Sequence, residues 1–307
     1  MVGRSTIKNM PKVTVLMPTY NVAPYVKEAI DSVLRQTYRD FELLVIDDCS
    51  TDETVEMVRS IEDARIRIVQ NEKNVGLAEN LNRGLSHITT EYVARMDGDD
   101  IAEPFWLERE VAILDSHPEI GVCGGGGIRF GAMESEIRFP EEHDDIVANM
   151  LYECTIVVPT FRMSLVRDHD LRYRTDAFPA EDYRFWVDMA MYTRLHNIAE
   201  PLFRYRMHAT QICTARREEQ QRKVTEVRQL MKQRIADGSI CVSHKAIQKR
   251  QKLLQRQERY YTIVDHYFKD GYSLPRYLRY LTSGLALRTG RNYETKFLLK
   301  SLLRRKA

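Results

Sequence analysis

The first hundred residues alternate between short apolar runs and amphipathic stretches, and this alternation limits the fold more than any other feature. Apolar runs rich in β-branched residues predict buried strands at residues 13–17, 43–46, 66–69 and 92–96. Helical spacing of apolar residues predicts a helix beginning near Pro24 and two more at residues 51–61 and 76–87. Such alternation predicts an α/β fold with a mostly parallel central sheet and helices on both faces.

Polar clusters follow three of the predicted strands. They are residues 19–21 (Thr-Tyr-Asn), the pair Asp47 and Asp48, and residues 97–100 (Asp-Gly-Asp-Asp). In sheets of this class, ligands bind beyond the carboxyl ends of the strands. We therefore expect the three clusters to face one crevice.

The acidic segment at residues 97–100 is the strongest local indication of chemistry. Its three carboxylates repel one another, so holding them together in a cleft is costly unless a cation is bound. Mn²⁺ and Mg²⁺ prefer oxygen ligands and often bridge to substrate phosphates. A solvated acidic turn is the alternative for this segment taken alone. Asp47 and Asp48 at the neighbouring strand end favour a nucleotide and metal site, although Ser50 or Thr51 could equally cap a helix there.

The middle of the chain is less regular. Residues 124–127 are four consecutive glycines, which indicate a turn or a close-packing segment. A phosphate cradle is disfavoured because no Lys-Ser/Thr pair follows in a strand–loop–helix context. A buried helix is predicted at residues 185–191, opened by Glu181 and Asp182. We predict an N-terminal extension at 1–10, an α/β domain at 11–214 and a basic helical region at 215–307.

Charge is distributed unevenly along the chain. The formal net charge is +2, yet residues 215–307 carry 23 Lys and Arg against 8 Asp and Glu. Such a basic region suggests an anionic partner. We do not expect nucleic acid to be this partner, because residues 216–259 contain no Phe, Trp or Tyr on which bases could stack. Residues 276–288 combine Tyr and Leu with arginines in a pattern that suits a helix on an anionic membrane, and packing on the α/β domain is the alternative.

Cysteine usage and hydropathy bear on location. The five cysteines are widely spaced without a Cys-x-x-Cys pair, which favours reduced thiols in a cytosolic setting. The N-terminus lacks the apolar stretch of a signal peptide, and no run approaches the roughly 18 apolar residues of a membrane span. We expect a cytoplasmic protein, with peripheral attachment to the inner face of the membrane as the membrane-associated option.

Seven segments occur in the order found in one family. They are 17–21 (MPTYN), 32–38 (SVLRQTY), 40–48 (DFELLVIDD), 74–84 (NVGLAENLNRG), 94–101 (ARMDGDDI), 180–183 (AEDY) and 205–208 (YRMH). Over residues 11–214 the chain resembles a family 2 glycosyltransferase of the GT-A fold. The resemblance implies an inverting enzyme that uses a nucleotide-diphosphate sugar, with a UDP-sugar as the expected donor and Mn²⁺ or Mg²⁺ as the metal. In many relatives a histidine precedes the Phe-Arg segment, whereas residues 158–162 here are VPTFR.

The resemblance also implies roles on the donor side. Tyr20 would stack on the nucleotide base, and Asp48 would accept a hydrogen bond from a pyrimidine edge. The donor pocket would be lined by Pro18, Asn21 and Asn82. Asp97 would meet the ribose or the metal-bound diphosphate.

Three further positions would carry the reaction. Asp99 would be the direct metal ligand, and His208 would meet the metal or the diphosphate. Asp182 would be the general base that removes the acceptor proton. Its alternative is a helix start, where an acidic residue interacts favourably with the helix dipole.

The sequence therefore predicts a metal-dependent, inverting glycosyltransferase that acts on a glycan or lipid-linked acceptor in surface polysaccharide, lipopolysaccharide or related glycan synthesis. A non-catalytic nucleotide-sugar-binding or scaffold protein on the same fold is the main alternative. A nucleotidyltransferase ranks lower, because the loop after the first strand is Pro-Thr-Tyr-Asn rather than glycine-rich.

Overall fold

The structure is a computed structural model that describes residues 10–132, 134–208, 211 and 216–269, with side chains described as far as residue 256. The chain divides into two compact units between Ser243 and His244. The first unit contains the sheet and all helices but the last of those described. The second unit begins with a long helix that starts at His244.

A nine-stranded sheet forms the centre of the first unit. Its strands are β1 Val13–Thr19, β2 Phe41–Asp47, β3 Ile66–Gln70, β4 Tyr92–Arg95, β5 Ile101–Ala102, β6 Ile120–Gly131, β7 Ser135–Ile137, β8 Thr160–Arg162 and β9 Arg194–Met207. The order is β3-β2-β1-β4-β8-β6-β9-β5, with β7 paired to β6. Strands β1 to β4 are parallel, as are β6 and β9, while β8 runs antiparallel to both β4 and β6.

The described residues include nine α-helices. They are α1 Ala23–Leu34, α2 Thr54–Arg59, α3 Leu77–Ser86, α4 Trp106–Ser116, α5 His143–Asn149, α6 Met163–Asp168, α7 Glu181–Met189, α8 Arg217–Ala236 and α9 His244–Lys269, with a 3₁₀ turn at Thr175–Ala177. The predicted α/β class, the mostly parallel sheet and the helical C-terminal segment are confirmed. In the described part of the chain, no helix is long and apolar enough to cross a membrane.

The four parallel strands form where the apolar runs predict them. Every residue of β1 is buried, because the strand is central and helices cover both faces. Gly84 lets α3 approach β1 closely, since a Cβ at this position would collide with the Leu16 side chain. The predicted helix at 51–61 is shorter and begins at Thr54. Neither Ser50 nor Thr51 caps it. Instead, the Asp52 carboxylate accepts the Thr54 N–H at 3.0 Å.

The four glycines at 124–127 lie in β6 and not in a turn. A Cβ on Gly124 would be 2.8 Å from Asn197 Oδ1, and one on Gly127 would be 2.7 Å from the Phe203 ring. Both neighbours belong to β9, the strand paired with β6 along most of its length. The predicted close packing is therefore correct, and its cause is the crossing of large β9 side chains over β6.

Helix α8 belongs to the first unit and packs against α7. Val227 and Met231 are buried on its inner face. Arg234 forms a 2.5 Å ion pair with Asp188 of α7, and Gln220 donates a 3.2 Å hydrogen bond to the Pro179 carbonyl. Our domain boundary near residue 215 stays a prediction. The amphipathic pattern at 276–288 lies outside the described residues.

Candidate active site

Asp47 joins the carboxyl ends of β1 and β2. It is fully buried, and it accepts a hydrogen bond from Thr19 Oγ1 at 3.0 Å. It also accepts the backbone N–H and the hydroxyl of Ser50, at 2.8 and 2.5 Å. These bonds satisfy the buried carboxylate locally, so Asp47 is a structural residue of the crevice.

The loops after β1 and β2 are further tied together by Asn21. Its backbone is in the left-handed region with φ of 52°, which asparagine tolerates better than most residues. Its side-chain oxygen accepts the Thr51 N–H at 2.8 Å. This arrangement leaves the preceding Tyr20 with 48% of its surface exposed. An aromatic ring held beside the crevice by a rigid loop is suited to stacking on a base.

Asp48 is buried and organises the loop that precedes α3. Its Oδ1 accepts hydrogen bonds from Asn71 Nδ2 at 3.0 Å and from the Val75 N–H at 2.8 Å. Its Oδ2 accepts the Gly76 N–H at 2.8 Å. A carboxylate has about four lone-pair positions, so these three bonds leave capacity for one more donor. The pyrimidine contact stays a prediction. The loop-organising role was not predicted from the sequence.

Asn82 projects from α3 and holds a distant segment. Its amide donates to the Tyr173 carbonyl at 2.8 Å and accepts the Tyr173 N–H at 2.9 Å. Both hydrogen-bonding groups of the side chain are thus used in fixing the backbone of Tyr173. The predicted place of Asn82 in the donor pocket stays a prediction.

The three carboxylates of the acidic segment converge. Asp97, Asp99 and Asp100 each place an oxygen within 4.8 Å of the others. His208 Nε2 lies 3.0 Å from Asp99 Oδ2, so the end of β9 meets the segment after β4. Pro18, buried at the end of β1, presents its carbonyl 3.4 Å from a Cβ built on Gly98. Four of the predicted site residues, Pro18, Asp97, Asp99 and His208, are therefore neighbours.

The electrostatics of this cluster suit a hard divalent cation. Burial and the neighbouring Asp97 raise the pKa of Asp99, and the adjacent His208 only partly offsets the shift. Burial raises the pKa of Asp100 well above its ordinary value, with Asp99 and Asp97 adding to the effect. Both shifts arise mainly from burial and to a lesser extent from neighbouring carboxylates, and a cation bound by carboxylate oxygens would favour the charged forms. Among the described residues, Asp97, Asp99 and Asp100 form a group whose oxygens could hold a metal ion, and His208 lies beside Asp99.

Arg206 supports the cluster from β9. Its guanidinium lies between the rings of Tyr25 and Phe130, at 4.9 and 4.6 Å from their centroids. It donates to the Asp99 carbonyl at 2.7 Å and to Glu28 Oε2 at 2.6 Å. Its backbone N–H donates to Asp100 Oδ1 at 2.8 Å. The contacts of this arginine with the acidic loop were not predicted from the sequence.

Asp182 occupies the first turn of α7, so the predicted helix start is confirmed. A third of its side chain is exposed, while Oδ1 is buried without a hydrogen-bond partner. Arg95 NH2 lies 3.3 Å from its Oδ2. Burial raises the pKa of Asp182, the Arg95 charge opposes that shift and Asp97 adds to it. A carboxylate with a raised pKa and an exposed edge suits proton abstraction. Its role as the general base stays a prediction.

Comparisons with known proteins agree with this geometry. The model of glycosyl transferase family 2 matches residues 14–174. An uncharacterized glycosyltransferase of Haemophilus influenzae is 34% identical over 237 residues, covering 72% of this chain and 73% of that protein. TuaG of Bacillus subtilis, a candidate teichuronic acid biosynthesis glycosyltransferase, is 29% identical over 54% of this chain and 69% of its own length.

Solved structures show the same fold. S. aureus TarS residues 1–349 in complex with UDP has a TM-score of 0.60 at 22% identity, covering 72% of this chain and 65% of that one. The mannosyltransferase PcManGT of Pyrobaculum calidifontis, in complex with GDP-Man and Mn²⁺, has a TM-score of 0.52 at 22% identity, covering 70% and 61%. The match thus spans less than two thirds of either solved chain. Because the family model covers over half of this chain and the H. influenzae relative matches most of both lengths, the chain belongs to glycosyl transferase family 2.

Proposed function

We propose that the chain is an inverting, metal-dependent glycosyltransferase that moves a sugar from a UDP-sugar to an acceptor hydroxyl. One observation carries the proposal. The guanidinium of Arg95 contacts both Asp97, at 2.5 Å, and Asp182, at 3.3 Å. The acidic cluster and the candidate base are therefore both in contact with one guanidinium, which supports a site where the donor diphosphate and the acceptor hydroxyl meet.

The residues divide the reaction between them. Asp182 takes the proton from the acceptor hydroxyl. At the same time the hydroxyl oxygen bonds to the anomeric carbon, and the bond between that carbon and the diphosphate breaks. Attack opposite to the leaving group inverts that carbon, so one carboxylate is sufficient. Asp99 and His208 would hold the Mn²⁺ or Mg²⁺, which offsets negative charge on the departing diphosphate when bound. Asp97 would meet the ribose or the metal-bound diphosphate.

The proposed donor pocket lies at the loops after β1 and β2. The exposed ring of Tyr20 would stack on the base, and Asp48 would accept its remaining hydrogen bond from a pyrimidine N–H. Pro18, Asn21 and Asn82 would complete the donor pocket. The UDP bound to TarS supports a uridine nucleotide. The GDP-Man bound to PcManGT makes GDP-sugars the comparison set for the test.

The acceptor is proposed to be a glycan or lipid-linked glycan in surface polysaccharide, lipopolysaccharide or related synthesis. The likeness to TuaG, whose name refers to teichuronic acid biosynthesis, supports this class. The basic region 215–307 would hold the protein peripherally at the anionic inner face of the membrane, in the cytoplasm. Its charge, with 23 basic against 8 acidic residues, supports this placement.

A donor screen with Asp182→Asn tests the proposed activity. We expect Mn²⁺ with UDP-sugars to raise the melting temperature of the wild type, since a ligand that binds the folded state stabilises it. Asp182→Asn should keep that shift and lose transfer. Asp176→Asn, an exposed carboxylate paired with Arg174, is the matched control and should keep both. Turnover retained by Asp182→Asn would reject the base, and binding without turnover by the wild type on every donor would favour the non-catalytic alternative.

Liposome flotation tests the membrane contact. The truncated chain should end at Ser243, because α8 packs on α7 and its removal would uncover buried surface. The full chain should float with anionic vesicles and the truncated chain should not. Unchanged flotation after truncation would show that residues 244–307 do not make the membrane contact.

A further inference from the structure

We infer that Arg95 is a positioning residue that fixes the base Asp182 and the donor-side carboxylate Asp97 relative to each other. The inference rests on the proposed function, since it concerns the same site. Arg95 is not one of the residues that the family motifs suggested for the site. It is the last residue of β4, two positions before Asp97.

The position of Arg95 is determined by its burial and its backbone. Only 5% of the residue is exposed. Its N–H donates to the Pro159 carbonyl at 2.9 Å, and β4 pairs with Leu16 of β1 at this residue. The backbone is therefore held between β1 and the segment leading into β8. A side chain anchored in this way has little freedom to follow a moving partner.

The guanidinium fork makes two separate contacts. NH1 lies 2.5 Å from Asp97 Oδ2, and NH2 lies 3.3 Å from Asp182 Oδ2. The two carboxylates come from different parts of the chain, one following β4 and the other opening α7. A planar guanidinium can serve both, whereas the ammonium of lysine is a single point charge on a flexible stem. Arginine is thus the side chain that this geometry requires.

The charges around Asp182 make this cation important. Several titratable groups face Asp182, and among those described Arg95 is the cation that lowers its pKa. The others are Asp97 in the acidic segment, Glu181 on the same helix, and the buried Tyr173 and Cys154. Without Arg95, one anionic neighbour and a buried environment would act on Asp182 unopposed. The base would then be protonated over a wider pH range.

Arg95→Gln is the first test variant, because glutamine keeps a hydrogen-bond donor and loses the charge. UDP release from UDP-sugars is followed with Mn²⁺ present. We expect kcat to fall about 100-fold, the typical cost of a misplaced reacting group. Affinity for UDP should fall much less than kcat, since Asp97 loses its partner while Tyr20 and Asp48, on the loops after β1 and β2, are unchanged. In the plot of kcat against pH, the acidic limb should move to higher pH.

Arg95→Lys separates charge from geometry. In the plot of kcat against pH, this variant should restore the position of the acidic limb, because a cation is again present. The value of kcat should stay low, because one ammonium cannot hold both carboxylates. Arg162→Gln is the matched control. Arg162 lies on the neighbouring strand β8 and donates to the carbonyls of Ile120 at 3.0 Å and Leu114 at 2.6 Å. Its loss should lower the melting temperature without moving the pH limb.

A double-mutant cycle combines Arg95→Gln with Asp182→Asn. It is measured by the melting temperature and does not require an active enzyme. Coupled effects of Arg95→Gln and Asp182→Asn support the inference, and additive effects overturn it. In an active enzyme, an unmoved pH limb or a parallel loss of UDP affinity and kcat would also overturn it. Failure of the proposed function looks different, since the wild type would then release no UDP while the cycle stayed coupled.

Discussion

Asp99 and His208 are 109 residues apart in the sequence, and their side chains meet at 3.0 Å between Oδ2 and Nε2. The contact joins the loop after β4 to the end of β9, the long strand that passes behind the acidic segment. His208 is also fixed by the Tyr25 ring, 4.8 Å between centroids, and by its N–H to Gln211 Oε1 at 3.1 Å. These two side chains are the proposed metal ligands, and their contact holds them side by side.

Removal of one metal ligand should weaken cation binding. We predict that Asp99→Asn lowers the affinity for Mn²⁺ at least about tenfold, because an amide oxygen replaces an anionic ligand. Titration calorimetry with Mn²⁺ in the presence of UDP measures this. Asp63→Asn, in a carboxylate paired with Arg65 on another loop, is the control and should bind Mn²⁺ as the wild type does. Equal affinity in both variants would contradict the site.

Loss of the exposed ring at the donor loop should weaken nucleotide binding. Stacking of a base on an aromatic ring contributes about 1–3 kcal/mol, so Tyr20→Ala should reduce affinity for UDP between about fivefold and 150-fold. Tyr192→Ala is the matched control. Tyr192 is similarly exposed, at 44%, and stacks on His169 at 3.7 Å. Fluorescence titration with UDP should separate the two variants, and equal affinities would show that Tyr20 does not stack.

Glu181 should make stability depend on pH. Burial is the largest cause that raises its pKa to about 8 from 4.5, and Asp182 adds to the shift. The folded state therefore keeps a proton that the unfolded chain releases at lower pH. The contribution of the Glu181 carboxyl to the free energy of unfolding is fully present below pH 4.5 and is lost as the pH rises through about 8.

Glu181→Gln tests this linkage. We predict that the variant loses less stability than the wild type between pH 4.5 and about 8, measured by urea unfolding. Glu218→Gln, on an exposed residue in the first turn of α8, should follow the wild-type pH dependence. Parallel curves for the wild type and Glu181→Gln would show that the carboxyl is not protonated in the folded state.

Close packing of β6 against β9 should make its glycines intolerant of a side chain. A Cβ at residue 127 would lie 2.7 to 2.9 Å from three atoms of the Phe203 ring. We predict that Gly127→Ala lowers the free energy of unfolding by about 1–3 kcal/mol, the typical cost of overpacking. Gly238→Ala is a useful comparison, because no atom lies within 4 Å of its Cβ position and only the φ of 79° opposes alanine. Urea unfolding that ranks Gly127→Ala as the milder change would contradict the packing.

Much of the fold was predictable because its signals are local. A buried central strand such as β1 must be apolar throughout, and a helix covering it must repeat its apolar residues with the helical period. The residues that end such strands point to the site before any contact is known. Asp47 and Asp48 illustrate the limit. They are adjacent in sequence, yet one closes the ends of β1 and β2 while the other organises the loop at 71–76.

By itself, the sequence determined the α/β class and placed the acidic segment after a strand, because strand and helix periodicity and charge repulsion act over a few residues. Only the tertiary structure decided which groups meet at the strand ends. Arg95 meets Asp182 across 87 positions of sequence, and Asn82 reaches Tyr173 across 91. Such contacts depend on how strands are ordered and where buried charges find partners. Burial makes an unpaired charge costly, so the folded arrangement selects the partner, and no local pattern specifies it.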